Sequence, residues 1–129
     1  GLGTTAIAAI INERNSVGYE IDPLLKPLLK DIFNSTDISQ ANVFLYNRYK
    51  KHLDFVEERI KQKKEVKYDN EKLNCKVMTG QETNLAFHYL KSITLQKDND
   101  ELSFETSYFL DRKIEDMPPT EQGSLFFSE

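Results

Sequence analysis

A glycine-rich turn at residues 1–3 constrains the fold of this chain more than any other feature of the sequence. Gly1-Leu-Gly3 is followed by an Ala- and Ile-rich stretch, residues 4–14, which predicts a helix buried on most sides. Residues 16–21 then predict a short strand. Glycines let a backbone approach a ligand closely, and the start of a helix offers free N–H groups to polar ligand atoms. The turn is therefore a candidate ligand site at the start of an α/β unit.

A carboxylate lies at the end of the predicted strand. Glu20 follows Gly3 by 17 residues, a separation that fits one helix and one short strand. In nucleotide-binding α/β folds this is where a ribose presents its two hydroxyl groups. The alternative is a tight turn plus a surface glutamate without a ligand. Because both halves of the pattern are present in register, we favour a nucleotide-type site.

Asp22-Pro23 predicts the start of a second helix, with Asp as the N-cap and Pro at the first helical position. Leucine and isoleucine recur at helical spacing along the helix, which gives it an apolar face. Residues 1–37 thus read as turn, helix, strand and helix. We expect an α/β fold that opens with a partial Rossmann-like unit without its first strand.

The following residues predict an appended region over 42–113. After a linker at 35–41, a long helix runs from Asn42 to about Lys64, with apolar side chains on one face and charged ones on the other. Short strands are predicted within 65–79, and a β-hairpin is predicted around the turn at residues 97–100. Residues 114–129 contain Pro118-Pro119 and are acidic, which predicts a flexible tail.

The net charge of −4 conceals an uneven distribution. Residues 42–76 carry 10 basic and 6 acidic side chains, whereas residues 95–129 carry 3 and 9. The basic helix is a candidate for contact with nucleic-acid phosphates. The alternative is a solvated face in which nearby acidic residues pair with the cations. The nucleic-acid candidates are Arg48, Lys50, Lys51, Lys63 and Lys64.

Composition narrows the class of protein. No apolar run approaches the ~20 residues that a membrane-spanning helix needs. The single cysteine, Cys75, excludes a disulfide framework and predicts a small buried apolar residue. His52 and His88 lack the neighbours of a metal site. No secretory signal is visible, so we expect a cytoplasmic setting.

The amino-acid sequence of the first segment, GLGTTAIAAIINERNSVGYEID, resembles the cofactor motif of DNA amino-methyltransferases, which act on adenine N6 or cytosine N4. The resemblance covers roughly 30 residues, and it implies S-adenosylmethionine as cofactor and DNA as substrate. It implies that Gly1 and Gly3 line the cofactor pocket, with Thr4 beside the methionine moiety. Glu20 would accept hydrogen bonds from the ribose hydroxyls. A looser alternative is a nicotinamide-cofactor site, because Gly1-x-Gly3-x-x-Ala6 also fits a dinucleotide fingerprint.

That family transfers the methyl group at an Asp/Asn/Ser-Pro-Pro-aromatic motif, which this sequence lacks. The nearest stretch is Met117-Pro118-Pro119-Thr120, with neither the polar leader nor the aromatic follower. The resemblance therefore implies the C-terminal portion of a methyltransferase, inactive by itself, whose missing N-terminal catalytic half is a partner. The alternative is a DNA- or partner-binding module without catalysis.

Two further partners follow from the resemblance and from the tail. A methyltransferase of this type is expected to act with a cognate restriction endonuclease. In the tail, Gln122-Gly-Ser-Leu125-Phe126 resembles the peptide with which replication proteins dock on a sliding clamp, and its anchors would be Gln122, Leu125 and Phe126. The alternative is a hydrophobic tail that packs on the hairpin.

Overall fold

The computed structural model describes residues 3–20 and 22–119. Three helices come first along the chain, and two antiparallel hairpins follow them. The helices are α1 (Thr4–Ile11), α2 (Leu25–Asn34) and α3 (Ile38–Lys61). The strands are β1 (Tyr68–Asn70), β2 (Cys75–Val77), β3 (Leu90–Asp98) and β4 (Leu102–Tyr108), with a single 3-10 turn at Gly80–Asn84. The fold contains both helices and strands, as expected, and no helix of the described residues is long and apolar enough to cross a membrane.

The strand predicted at residues 16–21 is wrong for the part of it that the structure describes. Residues 14–20 form no strand, and all of them are exposed, with Val17 at 83% and Tyr19 at 94%. A strand needs a neighbour for its N–H and C=O groups. The described strands pair only as β1 with β2 and β3 with β4. The first unit is therefore turn, helix, irregular segment and helix, and no parallel sheet is present in the described residues.

The first two helices differ from prediction at their ends. α1 ends at Ile11, three residues early, because Glu13 adopts a left-handed φ of 55° and Arg14 N–H bonds back to the Ala9 carbonyl at 2.7 Å. α2 begins at Leu25, so Asp22 is not its N-cap. Asp22 instead accepts a hydrogen bond from Leu24 N–H at 3.0 Å, which forms a turn before the helix.

α3 begins inside the predicted linker. Asp37 caps it by accepting the Gln40 N–H at 3.0 Å, and the helix runs from Ile38 to Lys61. It ends before Lys64 because Lys63 has a φ of 60° and Lys64 N–H bonds to the Arg59 carbonyl at 2.9 Å. No glycine marks this stop in the sequence.

The hairpin predicted around residues 97–100 is confirmed, with β3 and β4 pairing from Leu90↔Tyr108 to Asp98↔Leu102. The short strands predicted within 65–79 are also present. The core lies where α3 packs on these hairpins, and its buried members are Leu45, Tyr49, Leu73, Tyr89 and Ile114.

Ile114, the first residue of the predicted tail, packs in the core. Ile114 is only 3% exposed and belongs to the core. The Tyr89 hydroxyl donates to the carbonyls of Ile114 and Asp116, both at 2.8 Å. Residues 114–116 therefore pack as part of the helix-and-hairpin region.

Hydrogen bonds and ion pairs connect α1, α2 and the turn after α1 to the β3–β4 hairpin and to His88, which precedes it. Glu13 accepts hydrogen bonds from the backbone and ring of His88, and the Tyr108 hydroxyl donates to the Ile10 carbonyl at 2.7 Å. Lys26 and Lys30 both pair with Asp98. Hydrogen bonds from the two ammonium groups lower the pKa of this carboxyl. At the other contact, the left-handed φ of Glu13 orients its carboxylate towards His88.

Candidate functional site

The glycine turn forms the start of α1. Gly3 has a left-handed φ of 80°, a conformation that favours glycine, and no side chain caps the helix. The first intrahelical bond runs from Ile7 N–H to the Gly3 carbonyl at 2.9 Å. The N–H groups of residues 4–6 therefore have no acceptor from the helix itself or from a capping side chain. Thr4 is exposed at this end. The arrangement suits an anionic or polar ligand group.

Gly3 also has a structural role that the sequence does not show. A Cβ at Gly3 would lie 3.0 Å from Leu29 Cδ2 and 3.5 Å from Phe33 Cζ. Leu29 and Phe33 lie on α2, so the absence of a side chain lets the two helices pack closely. The glycine is required for this packing whether or not a ligand binds.

Glu20 lies in the exposed irregular segment before α2. One of its carboxylate oxygens accepts the Asp22 N–H at 3.2 Å. Gly3 contacts the second half of α2, whereas Glu20 precedes the N-terminal end of that helix. The structure thus shows Gly3 packed on α2, and it shows Glu20 bonded to the residues that lead into α2. The remaining predicted site residues, Gly1, Gln122, Leu125 and Phe126, lie outside the described residues.

Most cations of the basic segment form no ion pair with a described residue, although the sequence contains acidic residues at salt-bridging spacing. Among the described residues, Lys61 pairs with Glu57 at 3.7 Å. The five nucleic-acid candidates are exposed and form no ion pair with any described residue. Arg48, Lys50 and Lys51 lie on α3, whereas Lys63 and Lys64 follow its end at Lys61.

Two of the helix's arginines stack on exposed phenylalanines. The Arg48 guanidinium lies 6.0 Å from the centre of the Phe44 ring, and Arg59 lies 5.8 Å from that of Phe55. Phe44, Arg48, Lys51, Phe55 and Arg59 recur every three or four residues, so they follow one side of α3. This α3 stripe, as we call it, offers positive charge and aromatic surface together, which are the groups that contact phosphates and bases in nucleic-acid binding.

The three reactive residues singled out from the sequence make ordinary structural contacts. Cys75 is partly buried; burial, and after it the charge of Glu82, raises the pKa of its thiol. His52 Nε2 lies 2.7 Å from the Lys76 carbonyl. His88 precedes β3 and contacts Glu13. No cluster of three or more potential metal ligands occurs among the residues in the described ranges.

A pocket of about 200 Å³ opens between α3 and the hairpin region, and sequence reasoning missed it. Its residues come from α3, from the β1–β2 hairpin, from the 3-10 turn and the segment after it, and from the end of the described chain. No local pattern connects positions that are so far apart in the sequence. The residues that line it are Leu45, Arg48, Tyr49, His52, Leu73, Val77, Glu82, Leu85, Phe87 and Ile114.

The chain is 35% identical over 100 residues to the Type II methyltransferase M.MthZI of Methanothermobacter thermautotrophicus. This similarity relates the chain to methyltransferases. The matched stretch is 78% of this chain and 26% of that protein, so the chain spans about a quarter of the length of the relative. No known family profile matches the chain, and no solved structure does. This similarity agrees with the resemblance of the first segment to methyltransferases, and it does not test the cofactor motif or the type of base.

Proposed function

We propose that the chain is the S-adenosylmethionine-binding, C-terminal portion of a site-specific DNA methyltransferase that acts on an exocyclic amine of adenine or cytosine. The observation that carries the proposal is the 35% identity to a Type II methyltransferase over 78% of the chain. The geometry of the glycine turn supports it, because Gly3 is left-handed and α1 starts with uncapped N–H groups.

The donor and acceptor groups of the first unit fit this cofactor. Uncapped N–H groups at the start of α1 suit a carboxylate such as that of the methionine moiety. A carboxylate such as that of Glu20 suits the hydroxyl donors of a ribose. Gly1, Gly3 and Thr4 would hold the first group and Glu20 the second. The cofactor supplies the methyl group when it is bound.

The catalytic motif is proposed to lie in a part of the protein outside these 129 residues, since none of them forms an Asp/Asn/Ser-Pro-Pro-aromatic sequence. The proposed transfer to an amine needs no thiol nucleophile, in agreement with the raised pKa of Cys75. The proposed setting is cytoplasmic, with a cognate endonuclease and a sliding clamp as further proposed partners.

Glu20→Ala is expected to weaken S-adenosylmethionine binding by about 10- to 150-fold in the chain joined to its catalytic half. Hydrogen bonds to a charged group are worth about 1.5–3 kcal/mol, and every 1.4 kcal/mol is a factor of ten. Isothermal titration calorimetry measures the affinity. Glu105→Ala is the matched control, because Glu105 is an exposed glutamate on β4.

The result separates the parts of the proposal. If the joined wild-type protein binds no S-adenosylmethionine, the cofactor assignment is wrong. If it binds and the two glutamate variants behave alike, the assignment of the ribose to Glu20 is wrong.

The second candidate function is DNA binding without catalysis, and it is favoured by the cations on and just after α3 that form no ion pair with a described residue. Replacing Lys50, Lys51, Lys63 and Lys64 by alanine is expected to weaken DNA binding in gel shifts. Removing one phosphate-binding cation reduces the slope of log affinity against log salt by about 0.9, so removing four reduces it by about 3.6. A quadruple alanine variant of Lys67, Lys91, Lys97 and Lys113 keeps the net charge equal and serves as control.

Equal salt slopes for the two quadruple variants would show that the lysines on and just after α3 have no special role in DNA binding. A steep wild-type slope together with no S-adenosylmethionine binding by the joined protein would favour the non-catalytic module over the methyltransferase.

A further inference from the structure

The pocket between α3 and the hairpin region has no role in the proposed methyl transfer. It is formed by residues outside the glycine turn, and its volume is about 200 Å³. Pockets for drug-sized ligands usually measure roughly 300–1,000 Å³. The pocket therefore has room for a single ring system.

The walls of the pocket suit a flat, largely apolar body. Tyr49 and Phe87 contribute aromatic rings, and leucine, valine and isoleucine side chains form most of the remaining surface. The Tyr49 hydroxyl is already used, since it donates to the Leu73 carbonyl at 2.7 Å. Aromatic and aliphatic walls of this kind favour a planar ring that stacks between them.

Three polar side chains among the lining residues have hydrogen-bonding capacity left over. His52 donates from Nε2 to the Lys76 carbonyl at 2.7 Å, so in this tautomer its Nδ1 is an acceptor. Glu82 accepts the Thr79 hydroxyl on Oε1 at 2.9 Å, and Oε2 has no hydrogen-bond partner among the described residues. The Arg48 guanidinium stacks on Phe44 and donates to no described acceptor. The lining thus offers two acceptors and one cationic donor.

The positive charge of Arg48 at the rim of the pocket indicates that the bound ring carries a negatively charged group. Arg48 belongs both to the pocket and to the α3 stripe, in which Lys51 also lacks an ion pair with any described residue. Cations without carboxylate partners beside an apolar pocket are complementary to a phosphate attached to a buried ring. A nucleobase combines the remaining properties, because it is flat and its edge carries amino or ring N–H donors.

We propose that this pocket binds one nucleobase, with its edge donating to Glu82 and His52 and its phosphate held by Arg48 at the rim. The base comes either from a free nucleotide or from a nucleotide rotated out of DNA. The inference goes beyond the proposed methyltransferase function, and it does not depend on S-adenosylmethionine.

The test measures binding of the four deoxynucleoside monophosphates to the chain by calorimetry in the absence of S-adenosylmethionine. Deoxyribose 5-phosphate and inorganic phosphate are the base-free probes. At least one nucleotide should bind tenfold or more tightly than either base-free probe. Phe87→Ala should weaken nucleotide binding by roughly tenfold, as is usual for the loss of a stacking partner. Arg48→Ala should remove the preference for the nucleotide over its nucleoside.

Leu85→Trp fills the pocket and should abolish nucleotide binding, whereas Leu110→Trp introduces the same side chain at an exposed position and should not. Circular dichroism checks that both variants fold. If Leu85→Trp does not fold, Glu82→Gln provides the second variant, and it should change the preference among the four nucleotides by about tenfold. Equal binding of base-free probes and nucleotides, or nucleotide binding that neither Leu85→Trp nor Glu82→Gln alters, would overturn the proposal.

Duplex DNA separates the two sources of the base. A mismatched base leaves the stack at lower cost than a paired one. If the base comes from DNA, a duplex with a central mismatch should bind more tightly than the matched duplex, and Leu85→Trp should remove the difference. Nucleotide binding without a mismatch preference assigns the pocket to a free nucleotide.

Discussion

Replacing Asn42 by alanine is expected to lower the free energy of unfolding by about 2–5 kcal/mol. Asn42 is only 3% exposed, and its side chain makes two hydrogen bonds to one residue of β3. Its Nδ2 donates to the Leu90 carbonyl at 2.9 Å, and its Oδ1 accepts the Leu90 N–H at 2.8 Å. Alanine would leave both buried backbone groups without partners, and each such group costs about 1–3 kcal/mol.

Urea denaturation measures this loss of stability. The matched control is Asn47→Ala, because Asn47 lies on the same helix, is exposed and makes no hydrogen bond through its side chain to a described residue. The control corrects for the higher helix propensity of alanine, which is worth a few tenths of a kcal/mol at either position. A difference between the two variants below about 1 kcal/mol would contradict the assigned role of Asn42 as the link between α3 and β3.

The elements predicted correctly from the sequence are those whose signals are local. α3 has a long apolar face at helical spacing, and the turn at residues 97–100 lies between two alternating segments, so both appear where the sequence indicates. Their ends are harder to predict. The left-handed residues that end α1 and α3 are Glu13 and Lys63, and neither is the glycine that usually marks such a stop.

The predicted strand before Glu20 shows the limit of local signals. Val17 and Tyr19 have high strand propensity and occupy alternate positions, yet they are exposed and belong to no strand. Strand formation depends on another strand at the right distance, and none of the described strands lies beside this segment. A residue pattern can indicate that a segment is able to form a strand, but it does not show whether a second strand lies beside that segment in the fold.

The candidate sites divide in the same way. The glycine turn is contiguous in sequence, so a helix that begins at Thr4 after a turn could be predicted from five residues. The pocket brings Arg48, Glu82 and Ile114 together across 66 positions of sequence, which only the folded chain reveals. The sequence likewise shows acidic residues at salt-bridging spacing along α3, and only side-chain geometry decides that Lys61 pairs with Glu57 while Arg48, Lys50 and Lys51 pair with no described residue.

Tyr89→Ala is expected to destabilise the chain by about 3–5 kcal/mol, the usual range for truncating a large aromatic residue in a core. Tyr89 is 0% exposed. Burial raises the pKa of its phenol, so the hydroxyl remains a donor to the carbonyls of Ile114 and Asp116. Tyr89→Phe keeps the ring and removes only the hydroxyl, and it should cost about 1–2 kcal/mol.

The control is Tyr46→Phe, since Tyr46 packs against the same core and its hydroxyl makes no hydrogen bond to a described residue. Its cost should stay below about 0.5 kcal/mol. Because Tyr89 holds the segment that places Ile114 in the pocket wall, Tyr89→Phe should also weaken nucleotide binding while the chain remains folded. A Tyr89→Phe variant as stable as Tyr46→Phe would show that the position of residues 114–116 does not depend on this hydroxyl.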